Sequence, residues 1–450
     1  MAREYKDSGI EWIGQIPKEW EVARLKDIKA NKPYAIVDGP FGSAISTNDY
    51  KDEGVPLVRI VNLVGKYLDN TSTMYISPEL ANTVSRSSFG LNDIIFAKTG
   101  ATIGKCSINN SIEYGILSSS CVKISIADDM DNRYYYYLFS TDQFNQALRL
   151  ACSGSTRDTI NLTPFNTLPS VIPSLDEQQK IADYLEKVCG EVDEVVTLQE
   201  TMIEELKAYK QSVITEAVTK GLNPNVPMRD SGIDWIGEIP EHWDVIKLGR
   251  IFSFQGGFAF KSDGYVAESN NQVIRIGNVK NNLLLLDNSP VYIDDNLAEI
   301  ASNYKLNENC ILFTMTGTKG KRDYFFTLLL KKEHLVKNLF LNQRVGCFIA
   351  KENVCPNYYN YLLKDNGILD CIFFYETGTA NQGNLGIDSI SRTLLQMPPY
   401  DEQRKIASYL DTKCSEIDSL IALKHTKIEE LKEYKKSVIY EYVTGKKEVC

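Results

Sequence analysis

Apolar residues return every three, four or seven positions along two long stretches of this 450-residue chain. In the first, Ile181, Tyr184, Leu185, Val188, Val192, Val195, Met202, Leu206, Tyr209 and Val213 fall into register, with charged residues between them. In the second, Ile406, Tyr409, Leu410, Ile417, Leu420, Ile421, Ile428, Leu431, Tyr434 and Val438 do the same. This is the spacing of an amphipathic helix whose stripe needs a partner. Neither stretch contains proline, and only Gly190 interrupts them. At 1.5 Å per residue each helix would span about 65 Å, well beyond an ordinary domain helix. Aligned from Asp176 and Asp401, 26 of 44 positions are identical. The nearest partner for each stripe is therefore the other copy, packed antiparallel as a coiled coil about a pseudo-twofold axis.

The helices belong to a larger duplication. Residues 7–20, DSGIEWIGQIPKEW, return at 230–243 as DSGIDWIGEIPEHW. The helix start DEQQKIADYLEKV at 176 is answered by DEQRKIASYLDTK at 401. The offsets are 223 and 225 residues, so the unit is half the chain, too long for a solenoid repeat. Each half predicts a leader (1–21, then 222–244 with its linker), a globular domain (22–173 and 245–399) and a long helix (174–221 and 400–450). The leader's paired tryptophans, Trp12 with Trp20 and Trp235 with Trp243, suit an ordered loop packing its rings on its own domain or on a partner.

The globular domains differ in sequence but share a skeleton. Both have an early glycine turn, GPFGS at 39–43 and QGGFAF at 255–260. Both follow with an apolar strand ending in arginine, PLVRIVN and VIRIGN. Then come DIIFAKTGATIGK at 93–105 and CILFTMTGTKGK at 310–321, a buried-strand pattern running into a Thr-Gly turn. An aromatic helix and a polar loop (153–162 and 377–385) complete each copy. The expected class is α+β, two mixed domains separated by two long antiparallel helices.

Composition narrows the function classes. Hydrophobic content of 43% and charged content of 24% describe a soluble globular protein, without an apolar run of membrane length. Ten scattered cysteines and three histidines form no metal-spaced cluster, and free thiols suit the cytoplasm. The net charge is −10, yet residues 22–170 carry 14 basic and 14 acidic side chains, and residues 245–396 carry 16 and 14. Near-neutral domains neither require nor exclude nucleic acid.

Catalytic motifs do not emerge. MPPY at 397–400 is similar to the Asn/Asp-Pro-Pro-aromatic motif of amino-methyltransferases, but Met397 cannot accept the target amine's hydrogen bond. The first copy has Ile172-Pro173-Ser174-Leu175 there, and prolines before a helix start explain both. Gly317 to Lys321 lacks the phosphate-loop spacing, since Arg322 follows the lysine. The tyrosines at 134–137 sit at helical spacing and are expected in the core.

The repeated leader, the DEQ(Q/R)KIA…YL helix with its IEELK(A/E)YK…SVI continuation, and two divergent domains resemble the specificity subunit of type I restriction–modification enzymes. The resemblance covers essentially the whole chain. It implies two target-recognition domains, each reading one half of a bipartite site in double-stranded DNA. It further implies a chain without catalysis or bound cofactor of its own. Two modification subunits would use S-adenosylmethionine to methylate adenine, and restriction subunits would use ATP and magnesium. The competing reading is a two-domain protein-interaction scaffold; salt-sensitive binding to a bipartite duplex separates the two. A methyltransferase fused to its specificity domains is a third, opposed by Met397 and a missing cofactor loop.

Candidate DNA contacts lie in the polar loops. Gly39, Pro40, Phe41, Gly42 and Ser43 correspond, by the resemblance, to a recurring loop in which glycine lets backbone approach DNA. The matching turn in the second copy, Gln255, Gly256 and Gly257, departs from that pattern. Arg59 with Asn62, and Arg275 with Asn278, would read guanine and adenine, or the arginines would pair within the sheet. Lys98, Thr99, Lys105, Thr316, Lys319, Lys321 and Arg322 are candidate phosphate contacts at the Thr-Gly turns. Arg157, Asn161, Asn381, Gln382 and Asn384 are candidate readers in the late loops.

Overall fold

The computed structural model describes residues 3–153, 158–379 and 381–449. The chain divides into two compact units, residues 1–200 with 425–450, and residues 201–424. The long helices are continuous, Leu175–Lys220 and Tyr400–Val443, so each gives one end to each unit.

Unit one holds two four-stranded sheets. One has the strand order Met74–Ile76, Val55–Val58, Gly115–Leu117, Ser88–Phe89; the other has Ile36–Asp38, Cys121–Ile124, Ile94–Ala97, Cys106–Ile108. Unit two repeats the plan. Tyr265–Val266, Tyr292–Ile293, Asn271–Ile274 and Asn338–Leu341 form one sheet, and Phe252–Gly256, Val345–Ala350, Ile311–Thr314 and Thr327–Leu329 the other. In each unit the first and last strands of the domain pair antiparallel, Glu21–Arg24 with Pro169–Ile172 and Asp244–Lys247 with Leu394–Met397. The domain thus begins and ends beside its long helix.

The core forms where sheet, aromatic helix and long helix meet. On the helix Asn132–Ser140, Tyr134, Tyr135 and Tyr137 are buried, as their spacing predicts. Phe96, Phe139, Phe144 and Phe165 pack with ring centroids 4.8 to 6.5 Å apart. In unit two Phe313 stacks on Phe348 at 4.2 Å beside Phe252 and Tyr359.

The conserved repeats turn out to be contact surfaces for one another. Each leader is a small hairpin, Tyr5–Asp7 with Gln15–Pro17 and Met228–Asp230 with Glu238–Pro240. Trp20 is fully buried and its Nε1 donates to Glu177 at 2.8 Å; Trp243 donates to Glu402 at 3.1 Å. These are the glutamates of the two DEQ motifs. The glutamine beside each is buried too. Gln178 donates to the Pro173 carbonyl and accepts from the Asp131 N–H, which begins the aromatic helix. Gln403 makes the same bridge between Pro398 and Cys355. Pro398 therefore serves a helix start, and the MPPY likeness is structural.

Within each unit the helix segments run antiparallel. In unit one Tyr184 stacks on Tyr442, and Lys435 pairs with Asp193 at 2.7 Å. In unit two Lys210 pairs with Asp418 at 2.6 Å. Asp418 and Lys210 are the repeat equivalents of Asp193 and Lys435, so one ion pair recurs in both copies. The helix ends also hold the aromatic helices: Tyr134 donates to the Val443 carbonyl at 2.8 Å and Tyr358 to that of Val218 at 2.9 Å. The stripe departs from expectation in its middle. Ile428 is buried as expected, but Ile203 is buried in place of its neighbour Met202, and Met202, Tyr209, Leu420 and Tyr434 are exposed.

Candidate nucleic-acid interface

In each domain, backbone hydrogen bonds gather loops from distant parts of the sequence into one patch. In the first, the Gly39 N–H donates to Cys121, Ser118 to Val58, Lys98 to Ser120, Gly100 to Asp158 and Ile160 to Lys98. The 39–43 loop, the turn after Val58, the Thr-Gly turn and the late loop thus share one edge. At its centre lies the polar triplet Ser118, Ser119 and Ser120, which joins two apolar strands. In the second domain Gln343 donates to Phe258, Asn342 to Ile274, Met315 to Arg344 and Leu385 to Met315. Here Asn342, Gln343 and Arg344 occupy the central position. Sequence reading missed both triplets; the available signal was three polar residues between two buried strands at equivalent places.

Glycine fixes the approach of the early loop. A Cβ on Gly39 would lie 1.8 Å from the Ser118 carbonyl oxygen, and one on Gly257 would lie 2.1 Å from that of Asn342. No side chain fits there, and the two glycines are structural equivalents. They place Phe41 opposite Ala259 in the pattern. Phe41 is 92% exposed, whereas Phe258 and Phe260 pack into their domain with Tyr304. Pro40 is half-buried, and Gly42 and Ser43 are exposed.

Several predicted contacts have other work. Asn62 and Asn278 are buried, and each Oδ1 accepts from the N–H of the arginine three residues before, at 2.9 and 3.0 Å. Their amides donate to the carbonyls of Asp69, and of Leu285 and Asn288. They hold the turn and have no group left for adenine. Arg59 and Arg275 form no internal ion pair among the described residues. Each guanidinium donates to one carbonyl, that of Ser72 at 2.8 Å or Ser289 at 2.6 Å. Arg59 also lies over Tyr50. Lys98 is paired with Asp38 at 2.7 Å, with its side chain 13% exposed, which removes it as a free phosphate contact.

The Thr-Gly turn of the second domain also differs from expectation. Its N–H groups already donate to carboxylates, Thr318 to Asp323 at 2.7 Å and Gly320 to Glu376 at 3.0 Å. The Thr318 bonds hold the Asp323 carboxyl below its usual range. Arg322 pairs with Asp370 and lies over Phe373, and Lys319 donates to the Gly378 carbonyl. Lys321 is exposed and without an ion pair among the described residues, as is Lys105 in the first domain.

The late loop of the second domain is ordered into strands, Thr377–Thr379 against Gln382–Asn384, with Asn384 facing Thr316. The Thr316 hydroxyl is buried without a partner among the described residues, and Gln382 donates to Asn384. Asn381 is exposed. Gln255 is committed to the Asn303 carbonyl, and Gly256 pairs in the sheet with Gly346. In the first domain Thr99 bridges to Thr159, and Asn161 donates to Ser153. Arg157 lies outside the described residues.

A model of the type I restriction modification DNA specificity domain matches the chain twice, over residues 17–208 and 240–433. The chain belongs to that family.

Relatives of this specificity chain include the type I restriction enzyme MjaVIII specificity subunit of Methanocaldococcus jannaschii. It is 24% identical over 441 residues, covering 96% of this chain and 94% of the relative. The EcoKI specificity subunit of Escherichia coli K12 is 20% identical over 91% of this chain and 86% of its own. Two solved structures share the fold. One comes from work on complex assembly and conformational transition of a type I R-M system, with TM-score 0.72, 14% identity and 95% and 98% coverage. The other is the HsdS subunit of Thermoanaerobacter tengcongensis, with TM-score 0.54, 14% identity and 96% and 98% coverage. Among the described residues of the specificity chain, no group of three or more His, Cys, Asp or Glu could hold a metal, and no helix is long and apolar enough to cross a membrane.

Proposed function

We propose that each specificity domain reads one half of a bipartite site in double-stranded DNA. On this reading the chain directs adenine methylation by two modification subunits and cleavage by restriction subunits. The observation that carries it is the duplicated patch: one scaffold in both domains, set by Gly39 and Gly257, presents different polar residues at its early, central and late loops. Base identity is read by side-chain donors and acceptors at groove edges, so a constant frame with variable loops suits two different half-sites. S-adenosylmethionine, ATP and magnesium belong to the partner subunits in this scheme. This chain's share is recognition, and few free cations on its patches suit a complex whose partners supply part of the phosphate grip.

The test is to co-express the chain with its modification subunits and map methylated adenines in host DNA by single-molecule sequencing. A bipartite motif is expected, changing in one half only when residues 22–170 are exchanged for another recognition domain. Methylation that is the same with and without this chain would overturn the reading.

A further inference from the structure

In the second domain the charge of the Thr-Gly turn is balanced from within by Asp323, Asp370 and Glu376. Two arginines without a carboxylate partner among the described residues lie elsewhere. Arg275 and Arg344 line one cavity of about 380 Å³, with Asn288, Ser289 and Asn342 beside them and no acidic residue in its lining. Arg275 is anchored through Ser289, yet its Nε is buried and has no acceptor among the described residues. Arg344 is exposed and forms no ion pair among them. It stands on the central 342–344 loop, which the backbone ties to Phe258 and Ile274.

We infer that this cavity is a subsite for a hydrogen-bond acceptor group of duplex DNA, either a backbone phosphate or the O6/N7 edge of guanine. This rests on the DNA-reading function proposed above. A guanidinium has five donors and no acceptor, so a pair of them sharing a cleft is matched only by an oxygen-rich or acceptor-paired ligand. The first domain keeps Arg59 in the same place, again with a buried Nε that has no acceptor among the described residues, but has Ser120 where Arg344 stands. The two-arginine cleft therefore belongs to the second half-site alone.

The experiment uses the full chain co-expressed with its modification subunits, as wild type, Arg344→Ala and Arg275→Lys. The probes are a duplex carrying the motif mapped for wild type and a set with each base pair of the second half-site replaced. Arg344→Ala is expected to weaken binding about tenfold or more without shifting the thermal unfolding midpoint, because its side chain is exposed. A guanine ligand shows as lost discrimination at one G·C position with an unchanged salt slope. A phosphate ligand shows as equal weakening on all duplexes, with the slope of log K against log salt flattened by about 1. Arg275→Lys should follow the same pattern. If both variants match a motif-selective wild type at every position and salt concentration, the subsite is wrong. If wild type itself shows no motif preference, the DNA reading fails first, and the two failures are distinguishable.

Discussion

The two specificity domains bury different chemistry at one point of the same sheet. In the first, Lys123 on the strand Cys121–Ile124 pairs with Asp93 at 2.6 Å, with side chains 6% and 2% exposed, and Ser125 joins them. In strand register Lys123 corresponds to Cys347 and Asp93 to Cys310. Those two thiols are buried, and the Cys310 Sγ donates to the Asn307 carbonyl at 3.1 Å. Burial pushes the Lys123 ammonium down against the pull of Asp93. The lesson is that the fold specifies shape at this point and leaves polarity open, provided the pair is matched. What does not vary is the machinery joining each domain to its helix.

That contrast can be pressed hardest at the shared part. Trp20→Ala and Trp243→Ala should each cost about 3–5 kcal/mol, since each removes a fully buried ring and one donor from a DEQ glutamate, which keeps Arg3 or His242 beside it. The effects should be alike in urea unfolding of the full chain. A loss at only one site would show that the two leaders are not equivalent supports.

At the divergent point the single and double changes should part company. Lys123→Cys leaves buried Asp93 with only the half-exposed Lys32, 3.9 Å away, as counter-ion and is expected to cost about 3 kcal/mol. Adding Asp93→Cys installs the second domain's pair and should recover most of that loss, because a matched buried pair exchanges for another at little net change. A double variant no more stable than the single one would break the proposed equivalence.

A smaller effect tests the turns. Asn62→Ala and Asn278→Ala should each destabilise by about 1–3 kcal/mol, since each leaves a part-buried arginine N–H unsatisfied, with one carbonyl in the first domain and two in the second. These residues show where sequence reading runs out. The helices, the duplication and the buried tyrosines were legible because each is written in local periodicity or in repeated letters. The contact patch was not, because it is assembled by non-local backbone bonds: Lys98 meets Ser120, and Asn342 meets Ile274. Residue type alone casts Asn62 and Asn278 as base readers. Yet an asparagine three positions after the arginine is also the spacing at which a side chain caps the preceding N–H, and the structure uses it that way. Lys98 and the 317–322 turn misled for a related reason: Asp38 is 60 residues from Lys98, and Asp370 and Glu376 are about 50 from the turn they neutralise.

The finest contrast is between two phenylalanines in equivalent loops. Phe258 packs against Phe260 and Tyr304, so Phe258→Ala should cost roughly 2–3 kcal/mol, less than a fully enclosed ring would. Phe41 is 92% exposed and buries almost nothing in the free chain. Phe41→Ala should therefore leave the unfolding free energy within about 0.5 kcal/mol of wild type. On the proposed DNA-reading function its effect is expected in the bound state, where an apolar ring at a loop tip can wedge against a base step. The assembled complex carrying Phe41→Ala should lose affinity for its own duplex while melting unchanged, and Phe258→Ala should do the reverse. If Phe41→Ala instead lowers the unfolding midpoint, the ring is covered in solution, and the exposed loop tip ceases to distinguish the two domains.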